Sequence, residues 1–461
     1  MPPLRYKGAM IHDTRIQLLR PGEPVRKGFV LLWAQTSVRT RDNHALEYAV
    51  REANRLGLPL VAVFGLTPSY PEANARHYQF LLEGLRDLKA NLAARGIPLR
   101  VGLGSPPEVV LSTAGEGAAL VVTDVGYMRI HREWREWLRA RLEVPFVQVE
   151  SEPVIPVHVV SRKQEYAART IRPKIHRLLS DYLVPLEAHD LRRQTRDWEG
   201  GLDVSDPAGV ARGLPLDQSV PPGEEEGGEN AALEMLEDFI TRKLDAYDRR
   251  RNDPNVDGSS RLSAYLHYGH LSPLSAALAA REHAGPGVDS FLEELIVRRE
   301  LSFNLTTFNP AYDRYDGMPA WAKATLQEHA ADRRESLYSR EEFDAAQTHD
   351  PYWNAAQRQM TRTGRMHNYM RMYWGKKILE WSPTPGVAYD TMVWLNNRYE
   401  QDGRNPNSYA GMGWVFGLHD RPWQTRPIFG MVRSMTAGGL RRKFDADAYA
   451  RKWAGEEPAP S

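Results

Sequence analysis

The residues that invite a chemical reading are Trp353, Trp374 and Trp381. Trp374 and Trp381 lie seven apart in the stretch His367-Asn-Tyr-Met-Arg-Met-Tyr-Trp-Gly-Lys-Lys-Ile-Leu-Glu-Trp381. On a helix they point the same way, with a drift of only ~20°. Their Cα atoms then stand ~10 Å apart along the axis. The chain has no cysteine, so indole is its most readily oxidised side chain. A row of indoles at this separation can pass an electron hole from ring to ring. Core packing on an amphipathic helix is the simpler account of any one of them. A relay has meaning only with a redox group at one end, so the other motifs are read for a place to hold one.

Asp257-Gly-Ser-Ser-Arg-Leu-Ser-Ala-Tyr-Leu-His-Tyr-Gly269 reads as a loop entering a helix, with Ser259, Ser260 and Ser263 near its start. Free N–H groups and hydroxyls at a helix N-terminus suit an anion such as a diphosphate. Taken alone, plain N-capping by serine explains them better. His267-x-x-His270 has no third or fourth ligand nearby, so packed histidines and no metal are expected. Glu294 and Arg298 are at i,i+4 spacing on a charged-apolar helix. They form a surface ion pair, or Glu294 faces a cavity and hydrogen-bonds a ring imide. Arg371 stands one turn before Trp374, and Asp402 lies in the turn Tyr399-Glu-Gln-Asp-Gly-Arg404. Such a pair would fix the charge at the reducible edge of a flavin; a purely structural ion pair is the alternative.

These motifs need a scaffold. At 461 residues, two or three domains are expected. Residues 1–28 are polar and basic and read as a short N-terminal arm, not a targeting signal. Residues 29–150 alternate apolar runs with helical patterns: strands at 29–33, 59–64, 99–103, 119–123 and 146–149, helices at 42–57, 75–95, 106–114 and 130–142. This is an α/β domain with a Rossmann-like parallel sheet. It has neither a Walker A motif nor GxGxxG, so a nucleotide is not specified. Residues 151–230 are a connector with a helix near 163–184 and a Pro-, Gly- and acid-rich stretch, 207–228, that reads as a mobile loop. Residues 231–461 read as an all-helical domain. Net charge is only +1, but the stretch 421–452, including Arg441 and Arg442, carries eight Lys/Arg against two Asp. That excess can meet a phosphate backbone, although a solvated basic surface is as good a reading on charge alone. There is no apolar run of membrane-spanning length.

Together, the 257–269 stretch, Glu294-Leu-Ile-Val-Arg-Arg-Glu300, Thr348-His-Asp-Pro-Tyr-Trp-Asn354, Gly364-Arg-Met-His-Asn-Tyr-Met-Arg-Met-Tyr-Trp374 and Asp402-Gly-Arg-Asn-Pro-Asn407 resemble the photolyase/cryptochrome superfamily. More narrowly they resemble class II cyclobutane pyrimidine dimer photolyases, over residues 29–453. The resemblance implies an α/β antenna-type domain and a helical FAD- and DNA-binding domain. It implies FAD as cofactor, with an antenna chromophore (a deazaflavin or a folate) left open. By position, Tyr247, Ser259, Ser260, Arg261, Leu262 and Ser263 should contact the FAD phosphates and ribityl chain. Arg371 and Asp402 should pair beside the ring, and Asn396 should sit near flavin N5, with Asn407 as competitor. Trp374, Trp353 and Trp381 should form the relay, assisted by Tyr338. Glu294 should bind a flipped dimer, with Trp414 stacking on it, Met372 beneath it and Arg251 filling the gap in the duplex. Some relatives place a second tryptophan where Val297 and Arg298 stand here. The implied function is light-driven reversal of pyrimidine dimers in double-stranded DNA. The protein is expected to act as a monomer in the cytoplasm, nucleoid-associated in a prokaryote. A cryptochrome-type blue-light receptor is the alternative, and the eight residues after Trp453 offer it no long signalling tail.

Overall fold

The computed structural model describes residues 11–195, 198 and 200–454. The α/β domain is a six-stranded sheet of order β1-β6-β5-β2-β3-β4. Its strands are β1 (Ile16–Arg20), β2 (Phe29–Trp33), β3 (Leu60–Leu66), β4 (Leu99–Leu103), β5 (Ala118–Asp124) and β6 (Phe146–Val149). All neighbours are parallel except β1, which runs antiparallel to β6. β2, β3 and β5 are buried along their whole length, as continuous apolar runs between two helix layers require. β1 corrects the expectation of an N-terminal arm. Residues 16–20 form an edge strand, and their half-exposed side chains hide the strand from a hydrophobicity pattern. Residues 1–10 lie outside the described residues.

The connector also differs from expectation. Residues 207–213 form a short helix, capped by Asp206 accepting from Gly209 N. The acid run is tied down: Glu226 pairs with Arg86 at 2.9 Å, and Glu225 with Arg261 and Arg365 at 3.0 Å each. The Gly227 amide donates to Glu83 at 2.6 Å. Composition suggested a mobile loop because its partners are remote in sequence.

The helical domain is built around the helix Asn368–Trp381, whose residues 373–379 are all buried. It packs on Pro351–Thr363, Pro385–Tyr399 and Pro406–Val415. Each of these three starts with proline after a capping side chain: Asp350, Thr384 and Asn405. Such caps satisfy amides that the helix itself leaves free. Gly375 allows the closest approach: a Cβ there would lie 2.7 Å from Val415 and 2.9 Å from the Met392 sulfur.

The two domains are joined through buried charge. Glu152 is held by Arg39 at 2.8 Å and Arg299 at 3.1 Å. Gly84, in the helix Ala75–Ala94, lies so close to His270 that no side chain fits between them. Arg76, at the start of that helix, is almost fully buried. Its guanidinium donates to the carbonyls of Pro221 (2.7 Å), Met360 (3.3 Å), Thr361 (2.6 Å) and Tyr399 (2.8 Å). Met360 and Thr361 lie in the last turn of Pro351–Thr363, and Tyr399 ends Pro385–Tyr399. One cation from the α/β domain thus caps two helix C-termini of the other. Arg76→Met should lower stability by about 3 kcal/mol, because the buried carbonyls lose their donor. Urea unfolding of variant and parent measures it, and an unchanged midpoint would show that water replaces the guanidinium.

Candidate functional site

The three tryptophans come together, in the order 374, 353, 381. Trp353, from the neighbouring helix, stands between the other two. Its ring lies 6.3 Å from Trp374, nearly parallel at 9°, and 6.4 Å from Trp381 at 64°. The Trp353 indole N–H donates to the Trp374 carbonyl at 3.0 Å, and that of Trp374 to Gln357 at 2.9 Å. Trp353 and Trp374 are completely buried. Trp381 meets Tyr338 at 5.6 Å and His349 at 4.9 Å. The Tyr338 oxygen accepts the His349 amide at 2.9 Å and lies 2.6 Å from His349 Nδ1. The phenol can donate its proton to Nδ1 when His349 is in the Nε2–H tautomer. Tyr338 is half-exposed, so the row runs from the domain centre to its edge.

At the inner end, one turn before Trp374, Arg371 Nη2 lies 3.2 Å from Asp402 and 3.0 Å from Glu400. Burial pushes the Asp402 carboxyl up, but Arg371, the Ser263 hydroxyl and His267 together hold it below the ordinary carboxylate range. Glu400 goes the other way: burial, with Asp402 alongside, raises it to about 8 against the pull of Arg371. At neutral pH the cluster is one cation, one anion and one neutral acid. Sequence reading missed Glu400, which sits two residues from Asp402 with no motif of its own.

The serine loop faces the same region. Its helix, Ser263–His267, is only one turn long, and Arg261 before it has φ 60°. The helix N-cap is Leu262, with no side-chain cap. The capping account fails: the Ser263 hydroxyl turns to Asp402, the Ser260 hydroxyl accepts the Leu262 amide at 3.5 Å, and Ser259 is half-exposed. Leu262 is buried, and Arg261 is turned to Glu225 at 3.0 Å. Tyr247 is buried against Phe239 and Phe291, beneath the Arg251 guanidinium at 5.4 Å. Asn396 is buried, and its amide donates to Asn397 at 3.1 Å. Asn407 is exposed. The Arg371 Nε is buried without a protein partner. A flavin dinucleotide fits this set: hydroxyls beside a one-turn helix, and next to them a guanidinium with a free donor and a paired carboxylate.

On the outer side, the helix carrying Glu294 departs from expectation. Residues 293–298 form a π-helical turn between Val288–Leu292 and Arg299–Phe308. Its wider winding removes the i,i+4 register, so Glu294 and Arg298 do not pair. Arg298 pairs with Glu293 at 3.2 Å, and Glu294 accepts from Arg251 at 2.7 Å. π-turns of this kind recur at functional positions. Val297 is buried in the core and Arg298 is exposed. Met372 is half-buried, its Cε 3.9 Å from where a Gly411 Cβ would stand. Trp414 is half-buried, with Lys376 Nζ at 4.7 Å from its ring and the Arg433 guanidinium at 5.6 Å. Arg442 is exposed, and Arg441, also exposed, reaches Tyr352 OH at 3.3 Å.

A single relative decides the family. A deoxyribodipyrimidine photo-lyase of Methanothermobacter thermautotrophicus is 49% identical to this chain over 441 residues, 95% of this chain and 98% of the relative. The chain belongs to the DNA photolyase family. The family's sequence model, described as DNA photolyase, matches residues 30–191. A further photo-lyase, from Oryza sativa subsp. japonica, is 41% identical over 95% of this chain and 89% of its own. The fold recurs in a class III photolyase of Agrobacterium tumefaciens (TM-score 0.70, 21% identity, 93% of this chain and 87% of that one). It recurs also in a Synechocystis cryptochrome (TM-score 0.73, 18% identity, 92% and 88%).

Against that photolyase frame, one further buried group stands out. Lys376 is completely buried, and its ammonium donates to the Val415 carbonyl at 2.6 Å. Burial lowers its pKa to about 7, with Asp420 opposing and Arg433 reinforcing the shift. The unfolded chain therefore holds one more proton than the folded one between about pH 7 and the ordinary lysine value of 10.5. Stability should rise with pH through that window. Lys376→Met abolishes this titration, so the variant's Tm relative to the parent should be highest below pH 7 and decline towards pH 10. A Tm difference that stays flat with pH would show that Lys376 does not bury its charge.

Proposed function

We propose that this photolyase-family chain is a class II-type cyclobutane pyrimidine dimer photolyase that binds FAD and repairs dimers in double-stranded DNA under light. The observation that carries the reading is the stacked Trp374–Trp353 pair, starting one turn from a guanidinium that has a free buried donor. Bound there in its reduced form, FAD supplies the photoexcited electron that splits the cyclobutane ring and is returned afterwards. Ser259, Ser260 and Ser263 bind its phosphates and ribityl chain. Arg371, held by Asp402, presents positive charge to the ring, and Asn396 is the proposed neighbour of N5. Leu262 and Tyr247 are apolar support.

Trp374, Trp353 and Trp381 carry an electron inwards to prepare the flavin. Tyr338 terminates the row, because its phenol can pass a proton to His349 as it loses an electron. The dimer cannot reach a buried site inside a duplex, so it must be flipped out, and its poor stacking lowers the cost. Arg251 and Glu294 form a partly exposed ion pair of the kind worth only ~0–1 kcal/mol. Exchanging it is cheap: Arg251 moves into the gap in the duplex and frees the Glu294 carboxyl for the imide edge of the dimer. Trp414 stacks on the dimer, Met372 packs below, and Arg441 and Arg442 meet phosphates. An antenna pigment, deazaflavin or folate, bound at the crevice between β2 and β5 would not find free loop amides for a phosphate. There Asp124 accepts from the amides of Gln35 (2.7 Å), Thr36 (2.6 Å) and Ser37 (3.0 Å), which saturates the usual phosphate-binding position of such sheets.

The deciding experiment is repair of a dimer-containing oligonucleotide by purified protein under blue light. A flavin-loaded protein that leaves the dimer intact would favour the cryptochrome-type receptor instead. Trp353→Phe should reduce flavin photoreduction to near background while chemically pre-reduced enzyme still repairs. Unchanged photoreduction would remove Trp353 from the relay. Glu294→Ala should lower repair yield per absorbed photon more than DNA affinity or FAD content, with Tm nearly unchanged because only the partly exposed pair is lost. A wild-type yield would leave Glu294 as nothing more than the partner of Arg251.

A further inference from the structure

The C-terminal stretch is not the chain's only basic run. Residues 158–177 carry Arg162, Lys163, Arg169, Arg172, Lys174 and Arg177 against a single acid, Glu165. Four of them, Arg162, Lys163, Lys174 and Arg177, line an open cleft of about 650 Å³ between the turn after Val160 and the helix Ala168–Tyr182. Arg162, Lys163 and Arg177 line it, are exposed, and make no ion pair among the described residues.

The wall is held rigid. Glu165 is buried and binds Lys174 and the Ser161 hydroxyl. The Glu165 amide donates to Asn304 at 2.7 Å, and Asn304 donates back to the Lys163 carbonyl at 2.9 Å. The local acid is thus spent on fixing the turn, and the backbone that carries the unpaired cations Arg162 and Lys163 is held in place. Holding that backbone before an anion arrives cuts the ordering cost of binding.

The cleft is also tied to the proposed dimer site. Arg172, on the same helix, binds Glu293 at 2.6 Å, next to Glu294 on the π-turn. The Tyr166 hydroxyl donates to the Asp420 carbonyl at 2.6 Å, and His419 lies 3.0 Å from the Tyr166 carbonyl. The segment 419–420 follows the helix that carries Trp414. The Arg441–Lys443 surface reaches the same site by another route, through Asn255 donating to Asp445 at 2.8 Å.

We propose that this connector cleft is a second phosphate track, binding the sugar–phosphate backbone of one duplex arm beside a dimer lodged between Glu294 and Trp414. It rests on the repair reading for the position of the lesion, though not for the contact itself. Phosphate contacts position a duplex without reading its sequence, so the track should serve damaged and undamaged DNA alike.

The test uses FAD-loaded full-length protein and the variant Arg162→Ala/Lys163→Ala/Arg177→Ala. Tm and FAD content should match the parent, since all three side chains are exposed and unpaired. Affinity for undamaged duplex and for duplex with one thymine dimer should fall by a similar factor. The slope of log K against log salt should flatten by about 2–3, as expected for losing three phosphate contacts. A hydroxyl-radical footprint of the dimer duplex should lose protection on one arm only, keeping the arm lost on Arg441→Ala/Arg442→Ala. An unchanged salt slope, or affinity lost for damaged DNA alone, overturns the proposal. Parent protein that binds duplex through this cleft but repairs no dimer overturns the repair reading and leaves the cleft standing.

Discussion

The geometry of the whole depends on the buried Arg76 guanidinium. Four carbonyls from three segments converge on it: the connector at Pro221, the end of one helix at Met360 and Thr361, and the end of another at Tyr399. The second helix runs straight into Glu400 and Asp402, and the first carries Trp353. His77 and Asn74 extend the clamp, contacting the Glu400 and Arg398 carbonyls at 3.2 and 2.7 Å. The α/β domain therefore sets the position of the Arg371 pair, although it contributes no side chain to it. Burial lowers the Arg76 pKa to about 10 despite Glu400, which still leaves it a cation at neutral pH, as the two helix C-termini require.

Two local irregularities then place the outer residues. A regular helix would have set Glu294 against Arg298. The π-turn gives Arg298 to Glu293 and leaves Glu294 to Arg251, which comes from a different segment. Similarly, Gly375 lets the tryptophan helix touch the helix of Trp414, which carries Lys376 under the Trp414 ring. Both features depart from regular packing: the turn is wider than an α-helix, and the ammonium is buried with the Val415 carbonyl and the Trp414 ring as its partners.

The sequence displays what depends on local pattern. The five parallel strands and their helices follow from apolar runs and capping residues. The grouping of Trp374, Trp353 and Trp381 follows from motifs too specific to arise from amphipathicity. The photolyase resemblance added what spacing alone leaves open, since Trp374 and Trp381 share a face but nothing in their spacing places Trp353, from another helix, between them. What was illegible depends on distant partners. Arg76 and its acceptors are separated by 145 to 323 residues. β1 looks polar because it is an edge strand, and the 224–226 acids look solvated until Arg86, Arg261 and Arg365 are brought to them. No periodicity announces a π-turn, which is a matter of one extra residue per turn.

Glu400 shows why the charge balance of the central cluster could not be read from Arg371 and Asp402 alone. Two ionised carboxylates on one guanidinium would leave net negative charge in a buried cluster. Burial and the proximity of Asp402 instead raise Glu400 to about 8, so at neutral pH it keeps its proton. Arg371 is then balanced by Asp402 only. Its remaining face, with Nε free of protein partners, is left open. As pH rises past 8, Glu400 ionises and the cluster acquires a second anion. The same burial that costs this acid its charge thus leaves the cation with a single anion.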